Sequence, residues 1–350
     1  MKRREYNIEP YIRQLEQWVR PQVGPIQTPP FEAEPDVLLT VQTEGGEIVY
    51  ALELKTHLEH MNVHLVLDQM RKIEKETGLH CLVAAPYIRP HQGQEFIQNG
   101  IDYVDLAGNV HLHGRGFLLH VEGKRPKAKP ERIKGRAFRP AGLKAVYALL
   151  TDRELIHQPY RELAKATGVA HGTIQIVLRD LTEQGYKVGK GTNTRIINRK
   201  ELMNIWVTAY GNVLRPRLVI KRFRPQVRDL DKLVNEIRPF FEQRRVEWAV
   251  TGTEAAYRLT RYYRDETLTF FTKWLPEEFE IMLRCLPDTH GPLTVLELFN
   301  DYVTHKTKDG IPIAHPLLIY AELMAAGTER NIETARLVYE RYLKDFDIED

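Results

Sequence analysis

Residues 159–198 (PYRELAKATGVAHGTIQIVLRDLTEQGYKVGKGTNTRIIN) constrain the fold more tightly than any other stretch of the chain. Apolar residues fall at Leu163, Ala164 and Val169, then at Ile174, Val177, Leu178 and Leu181, the spacing that keeps one face of each of two short helices against a neighbour. Gly168 sits between them, where a tight turn needs a residue without a β-carbon. His171, Thr173, Gln175 and Arg179 then fall on the outward side of the second helix. After Gly185, two β-prone runs around Gly189, Gly191 and Asn193 predict a hairpin carrying Lys187, Lys190 and Arg195.

Two crossed helices followed by a basic hairpin make a winged helix-turn-helix, and double-stranded DNA is the partner this arrangement suits. His171, Thr173, Gln175 and Arg179 can hydrogen-bond phosphates or base edges in a major groove, and Gln175 and Arg179 suit two-pronged contact with a base. Lys187, Lys190 and Arg195 would neutralise backbone phosphates, adding affinity with little sequence information. The same module also serves elsewhere as a protein-contact surface, and the residues leave that use open.

A chain of 350 residues exceeds the usual size of one domain, so two or three cores are expected. Hydrophobic content is 43% and the net charge only +3, so nucleic-acid affinity has to come from local clusters. Residues 123–140 (GKRPKAKPERIKGRAFRP) are such a cluster, with eight Lys or Arg against one acid, broken by proline and glycine. They read as a basic, extended linker, either tracking phosphates or simply solvated. The expected layout is a first domain over 1–122, the linker over 123–140 and the winged helix over 141–199. A connecting segment over 200–226 and a C-terminal α+β domain over 227–350 complete it.

The first domain carries carboxylates in a pattern that can do chemistry. DVLLTVQ and IVYALELK are strand-like runs joined by TEGGE, and a two-residue turn at Gly45-Gly46 would set Asp36 opposite Lys55. Glu53 shares that face through the period of two, so two carboxylates and an ammonium converge at one end of a hairpin. Such carboxylates can hold Mg²⁺, and the lysine can polarise a phosphate or position a water. Pro35-Asp36 with Glu53-Leu54-Lys55 resembles the PD-(D/E)XK nuclease family. Gln69, on the helix predicted around residues 64–76, falls where some of its members carry a glutamine. The resemblance covers residues 1–122 and implies a restriction-endonuclease-like mixed sheet with flanking helices, with Asp36, Glu53, Lys55 and Gln69 as the catalytic set. The alternative is the same fold kept as a scaffold, with these residues forming an ion-pair cluster.

Other candidates are less pointed. His57, His60 and His64 share a helix face that suits Zn²⁺, or is simply polar. Asp102 and Asp105 flank a strand before the Ala107-Gly108-Asn109 turn, with Asp105 and Asn109 expected to brace that turn. Gly252 and Thr253 open a helix whose N-terminal amides suit an anion, although a tight turn explains the glycine equally well. Cys81 and Cys285 lack metal spacing and are expected as free buried thiols. No apolar run approaches the roughly 18 residues that span a bilayer, and a cytoplasmic location is expected.

Across the whole chain, the phrase YVDLAGNVHL, the winged helix, WAVTGTEAAYRL and HPLLIYAELMAAGTERNIETARLVYE together resemble the AbiEi-type antitoxins, transcriptional regulators of type IV toxin-antitoxin systems. In that family's usual layout the winged helix comes first, whereas here residues 1–138 precede it. The resemblance implies a DNA-binding repressor that needs no cofactor and opposes a nucleotidyltransferase toxin. A homodimer is expected, because DNA readers commonly match two half-sites. The expected fold class is α/β and α+β multidomain. Three functions stay open: a DNA-binding regulator, a Mg²⁺-dependent endodeoxyribonuclease acting through Asp36, Glu53 and Lys55, and an interaction protein that binds a toxin and uses DNA only weakly.

Overall fold

The computed structural model describes residues 8–24, 35–43, 46–55, 60–114, 116–126, 135–189, 191–301, 304–306 and 310–347. The chain divides into two compact units, Met1–Arg132 and Ile133–Asp350.

The first unit is a seven-stranded mixed sheet flanked by helices. Its elements are α1 (Glu9–Leu15), β1 (Arg20–Gly24), β2 (Val37–Thr43), β3 (Gly46–Leu54), α2 (His60–Thr77), β4 (His80–Ala85), α3 (Pro90–Gln98), β5 (Asp102–Asp105), β6 (Val110–Gly114) and β7 (Phe117–Val121). The strands lie in chain order across the sheet, with β3, β4 and β5 parallel and the outer pairs antiparallel. Only the two parallel joins need a crossover, and α2 and α3 supply them. Side chains alternate between two buried layers. Ala51, Val83, Cys81 and Tyr103 pack with residues of α2 and α3, while Tyr50, Leu52, Leu82 and Val104 pack with Tyr11 and Leu15 of α1.

The β2–β3 hairpin corrects one expectation. Val37 stands opposite Leu52 and Thr43 opposite Gly46, so Gly46 belongs to β3 and the register is displaced by two from the expected one. Asp36 therefore reaches the backbone N–H of Leu54 instead of facing Lys55. Thr43 Oγ1 donates to the Gly46 carbonyl at 2.7 Å, and Gly46 takes φ +117°, a setting that glycine adopts at little cost. A displacement by two is even, so every side chain keeps its expected face.

The second unit begins with a helical part: α4 (Pro140–Thr151), α5 (Tyr160–Thr167), α6 (His171–Glu183), a ribbon of β8 (Lys187–Val188) and β9 (Arg195–Ile196), and α7 (Arg199–Ala209). Gly168 caps α5 at φ +64°, in the left-handed region that the turn requires. The ribbon is the short hairpin expected, with two residues per strand and a 3₁₀ turn at Gly191–Asn193.

Then follow α8 (Arg215–Leu218), β10 (Val219–Pro225), α9 (Leu230–Arg244), β11 (Trp248–Thr251), α10 (Gly252–Thr260), β12 (Leu268–Thr272), α11 (Phe279–Met282), β13 (Cys285–Pro287), β14 (Leu293–Glu297), β15 (Thr304–Lys306), β16 (Pro312–Ala314), α12 (Pro316–Ala326) and α13 (Glu329–Tyr342). A second seven-stranded sheet runs β13-β10-β14-β12-β11-β16-β15. Residues 200–226, expected as a connecting segment, are instead part of the core. Trp206 and Tyr210 are fully buried, and β10 lies between β13 and β14. The reason lies in their aromatic rings: Tyr147 of α4 stacks on Trp206 at 5.2 Å and meets Phe299 edge-on at 5.3 Å, which joins the helical part to the sheet. Among the described residues, no helix is long and apolar enough to cross a membrane.

Candidate functional site

In the second unit, α6 buries Ile174, Val177, Leu178 and Leu181 and leaves His171, Gln175 and Arg179 exposed, with Thr173 half-buried. Leu163 of α5 is buried too, so the hydrophobic faces of the two helices leave one polar row outward. That row borders an open groove lined by Tyr160, Gln175, Ile176, Arg179, Thr182 and Lys187. Lys187 is half-buried and its Nζ lies 3.4 Å from Thr182 Oγ1, while Arg195 is exposed. Arg179 Nε is 3.8 Å from Glu183 Oε1, with both side chains mostly in solvent, an attraction a phosphate or base can outcompete. Lys190 lies outside the described residues. On the inner side of α6, the buried Asp180 carboxylate accepts from the backbone N–H groups of Arg136 and Ala137, which fixes the end of the basic segment against the helix.

In the first unit, the four residues singled out for chemistry come together. Lys55 Nζ lies 3.0 Å from Glu53 Oε2 and 2.8 Å from Gln69 Oε1, and Gln69 Nε2 donates to Glu53 Oε1 at 2.6 Å. Asp36 Oδ2 accepts from Leu54 N–H at 2.9 Å, which sets its carboxylate beside Glu53. Strand β3 supplies Glu53, its end supplies Lys55, and α2, which covers the same face, supplies Gln69. Burial pushes the Glu53 carboxyl up to about 8; Lys55 opposes the shift, and the neighbouring Asp36 adds to it. A divalent cation bound between Asp36 and Glu53 would favour the ionised form of Glu53, offsetting the cost of burying its charge.

The other candidates divide. Asp105 accepts from the backbone N–H of Asn109 and Ile88 and from the Asn109 amide, so it braces its turn as expected. Asp102 is drawn instead to Tyr50 and His113, and the sequence reading did not mark His113. Thr253 Oγ1 donates to Asp265 at 2.6 Å, which ties the start of α10 to its own neighbour. Cys81 and Cys285 are free and buried. His57, and the side chains of His60 and His64, lie outside the described residues.

In the second unit a helical entry is joined to a mixed sheet followed by the C-terminal helices α12 and α13. Residues 195–344, from β9 to the end of α13, match the family model described as "Transcriptional regulator, AbiEi antitoxin, Type IV TA system". The resemblance read in the sequence is supported over these residues, which are similar to the antitoxin-type transcriptional regulators of type IV toxin-antitoxin systems. The matched stretch starts after α6 and leaves out the whole first unit. No curated protein and no solved structure matches the chain.

Proposed function

We propose that this protein is a DNA-binding transcriptional regulator of antitoxin type, in which α5, α6 and the β8–β9 ribbon act as a winged helix-turn-helix. The observation that carries the reading is the exposed polar row of α6, His171, Gln175 and Arg179, standing immediately before the family-matched residues. Gln175 and Arg179 can each make two parallel hydrogen bonds to a base edge, while Lys187, Lys190 and Arg195 meet phosphates. The buried residues of α6 hold the row rigid, so little order is lost on docking. The toxin implied by the family is a second partner of this reading, and a dimer would present two reading helices to a palindromic operator. The test is binding of the purified chain to labelled DNA from upstream of its own gene, at several salt concentrations. Retention of a specific fragment, weakened in Arg179→Ala, supports the reading. Equal, weak binding to every fragment overturns it.

A second reading is favoured by the Asp36–Glu53–Lys55–Gln69 cluster: a metal-dependent endodeoxyribonuclease housed in the first unit. Asp36 and Glu53 would hold Mg²⁺, which when bound stabilises charge developing on the scissile phosphate. Lys55, steered by Gln69 and Glu53, is placed to donate to a phosphate oxygen or to orient the attacking water. Incubation of plasmid with the protein and Mg²⁺ or Mn²⁺ decides this reading. Cleavage lost in Glu53→Ala establishes it, and intact plasmid with the wild-type chain leaves the cluster as a scaffold.

A further inference from the structure

We propose that Asp102, His111 and His113 form a binding site for a divalent first-row transition metal, with Zn²⁺ the best match, at the β5–β6 side of the first unit's sheet. One ligand atom from each of the three lies within 4.8 Å of the others. His113 Nδ1 is 2.5 Å from Asp102 Oδ1, and His111 Nε2 is 3.9 Å from the same oxygen. Ligands of a tetrahedral Zn²⁺ stand about 3.3 Å apart, since each bond is roughly 2.0 Å, so binding draws His113 back from Asp102 and brings His111 closer to it. Two imidazoles with one carboxylate favour zinc and its first-row neighbours over Mg²⁺ or Ca²⁺, which take oxygen ligands. The site shares no residue with the Asp36–Glu53 cluster and stands independently of any nuclease activity.

The surroundings are those of a built site. Asp102 and His111 are 1% and 8% exposed, so each is held by the fold. Tyr50 Oη donates to Asp102 Oδ2 at 2.8 Å and the His113 backbone N–H donates to the same atom at 2.9 Å, which turns Oδ1 toward the two rings. His111 Nδ1 lies 3.2 Å from His120 Nδ1, whose Nε2 is in turn 3.7 Å from Glu122 Oε2. Such an outer partner orients the imidazole and leaves Nε2 as the ligand atom. Tyr103 stacks on the His111 ring at 6.0 Å, and His80 meets His113 edge-on at 5.5 Å. The half-exposed His113 gives the ion a path from solvent and room for a water as fourth ligand. An ion on Nδ1 selects the His113 tautomer that carries its proton on the solvent-facing Nε2, reached by exchange with water, so Nδ1 presents a lone pair. The ligands come from the adjacent strands β5 and β6, and Tyr50, His80 and His120 of β3, β4 and β7 surround them.

The experiment titrates the untagged full chain, stripped with EDTA, with Zn²⁺ against a chromophoric chelator. Co²⁺ serves as a second probe because its visible bands report coordination geometry. We expect one ion per chain at this site, an imidazole-type Co²⁺ spectrum and a raised thermal midpoint. His113→Gln, half-exposed and therefore tolerated by the fold, should weaken Zn²⁺ at least tenfold; His111→Gln should do the same, while His91→Gln leaves binding unchanged. Circular dichroism confirms that each variant is folded. Absence of zinc and cobalt binding by the folded wild-type chain, or binding unaffected by both ligand substitutions, would overturn the proposal.

Discussion

Gln69 bridges the acid and the base of the first unit's cluster, donating to Glu53 Oε1 at 2.6 Å and accepting from Lys55 Nζ at 2.8 Å. One amide thus fixes both partners, and its orientation is set by them, since only the oxygen can accept from an ammonium. Gln69→Ala leaves the buried Glu53 Oε1 without its donor and is expected to cost about 1–3 kcal/mol. Urea denaturation of the full chain, with hydrogen exchange of the β3 amides, measures it. Unchanged protection in β3 would mean that the bridge is dispensable.

The same carboxyl sets a pH dependence. Its folded-state pKa of about 8 lies above the ordinary 4.5, because burial penalises the charged form. A raised pKa means that stability is fully present below about pH 4.5 and is lost as the pH rises towards 8, at no more than about 1.4 kcal/mol per pH unit. Chemical denaturation in EDTA across this range should show the decline in the first unit, and Glu53→Gln should flatten it. A wild-type slope equal to that of the variant would count against the burial argument.

What could be read in the sequence depended on periodicity. The faces of α6, the left-handed turn at Gly168 and the long helices after Pro316 follow from local spacing alone, and the Asp36–Glu53–Lys55 face survived a misplaced turn because parity did not change. The role of residues 200–226 was hidden, because Trp206 and Tyr210 acquire their meaning from Tyr147 and Glu322, which are far away in the chain. The histidine cluster was hidden for the same reason. His111 and His113 alternate on a strand like ordinary polar residues, and only sheet pairing brings them to Asp102, Tyr50 and His120. The HxH spacing beside a named acid was the one signal available.

The α6 face and the ribbon should differ in kind. Arg179→Ala is expected to cost roughly 1–3 kcal/mol on the preferred sequence and to relax specificity there. Lys187→Ala should weaken binding to all duplexes alike and lower the salt slope by about one. Fluorescence anisotropy on specific and scrambled DNA separates the two. Uniform weakening by Arg179→Ala would demote it to a phosphate contact.

Glu322 offers the most direct test of how the second unit is held together. It is 4% exposed on α12, and it accepts from Tyr210 Oη at 2.6 Å and from Arg215 Nε at 2.9 and 3.0 Å. The contact ties the α7–α8 region to α12, at the other end of the family-matched stretch. A buried ion pair is a modest source of net stability, but removing one partner leaves the other charge uncompensated. Glu322→Ala should therefore destabilise the unit by about 3–5 kcal/mol, and Glu322→Gln, which can still accept from Tyr210, by less. Trp206 stacks on Tyr210 at 5.1 Å, so its fluorescence reports the loss directly in a urea titration. Equal stability of wild type and Glu322→Ala would show that the stacked aromatic rings hold this junction without the ion pair.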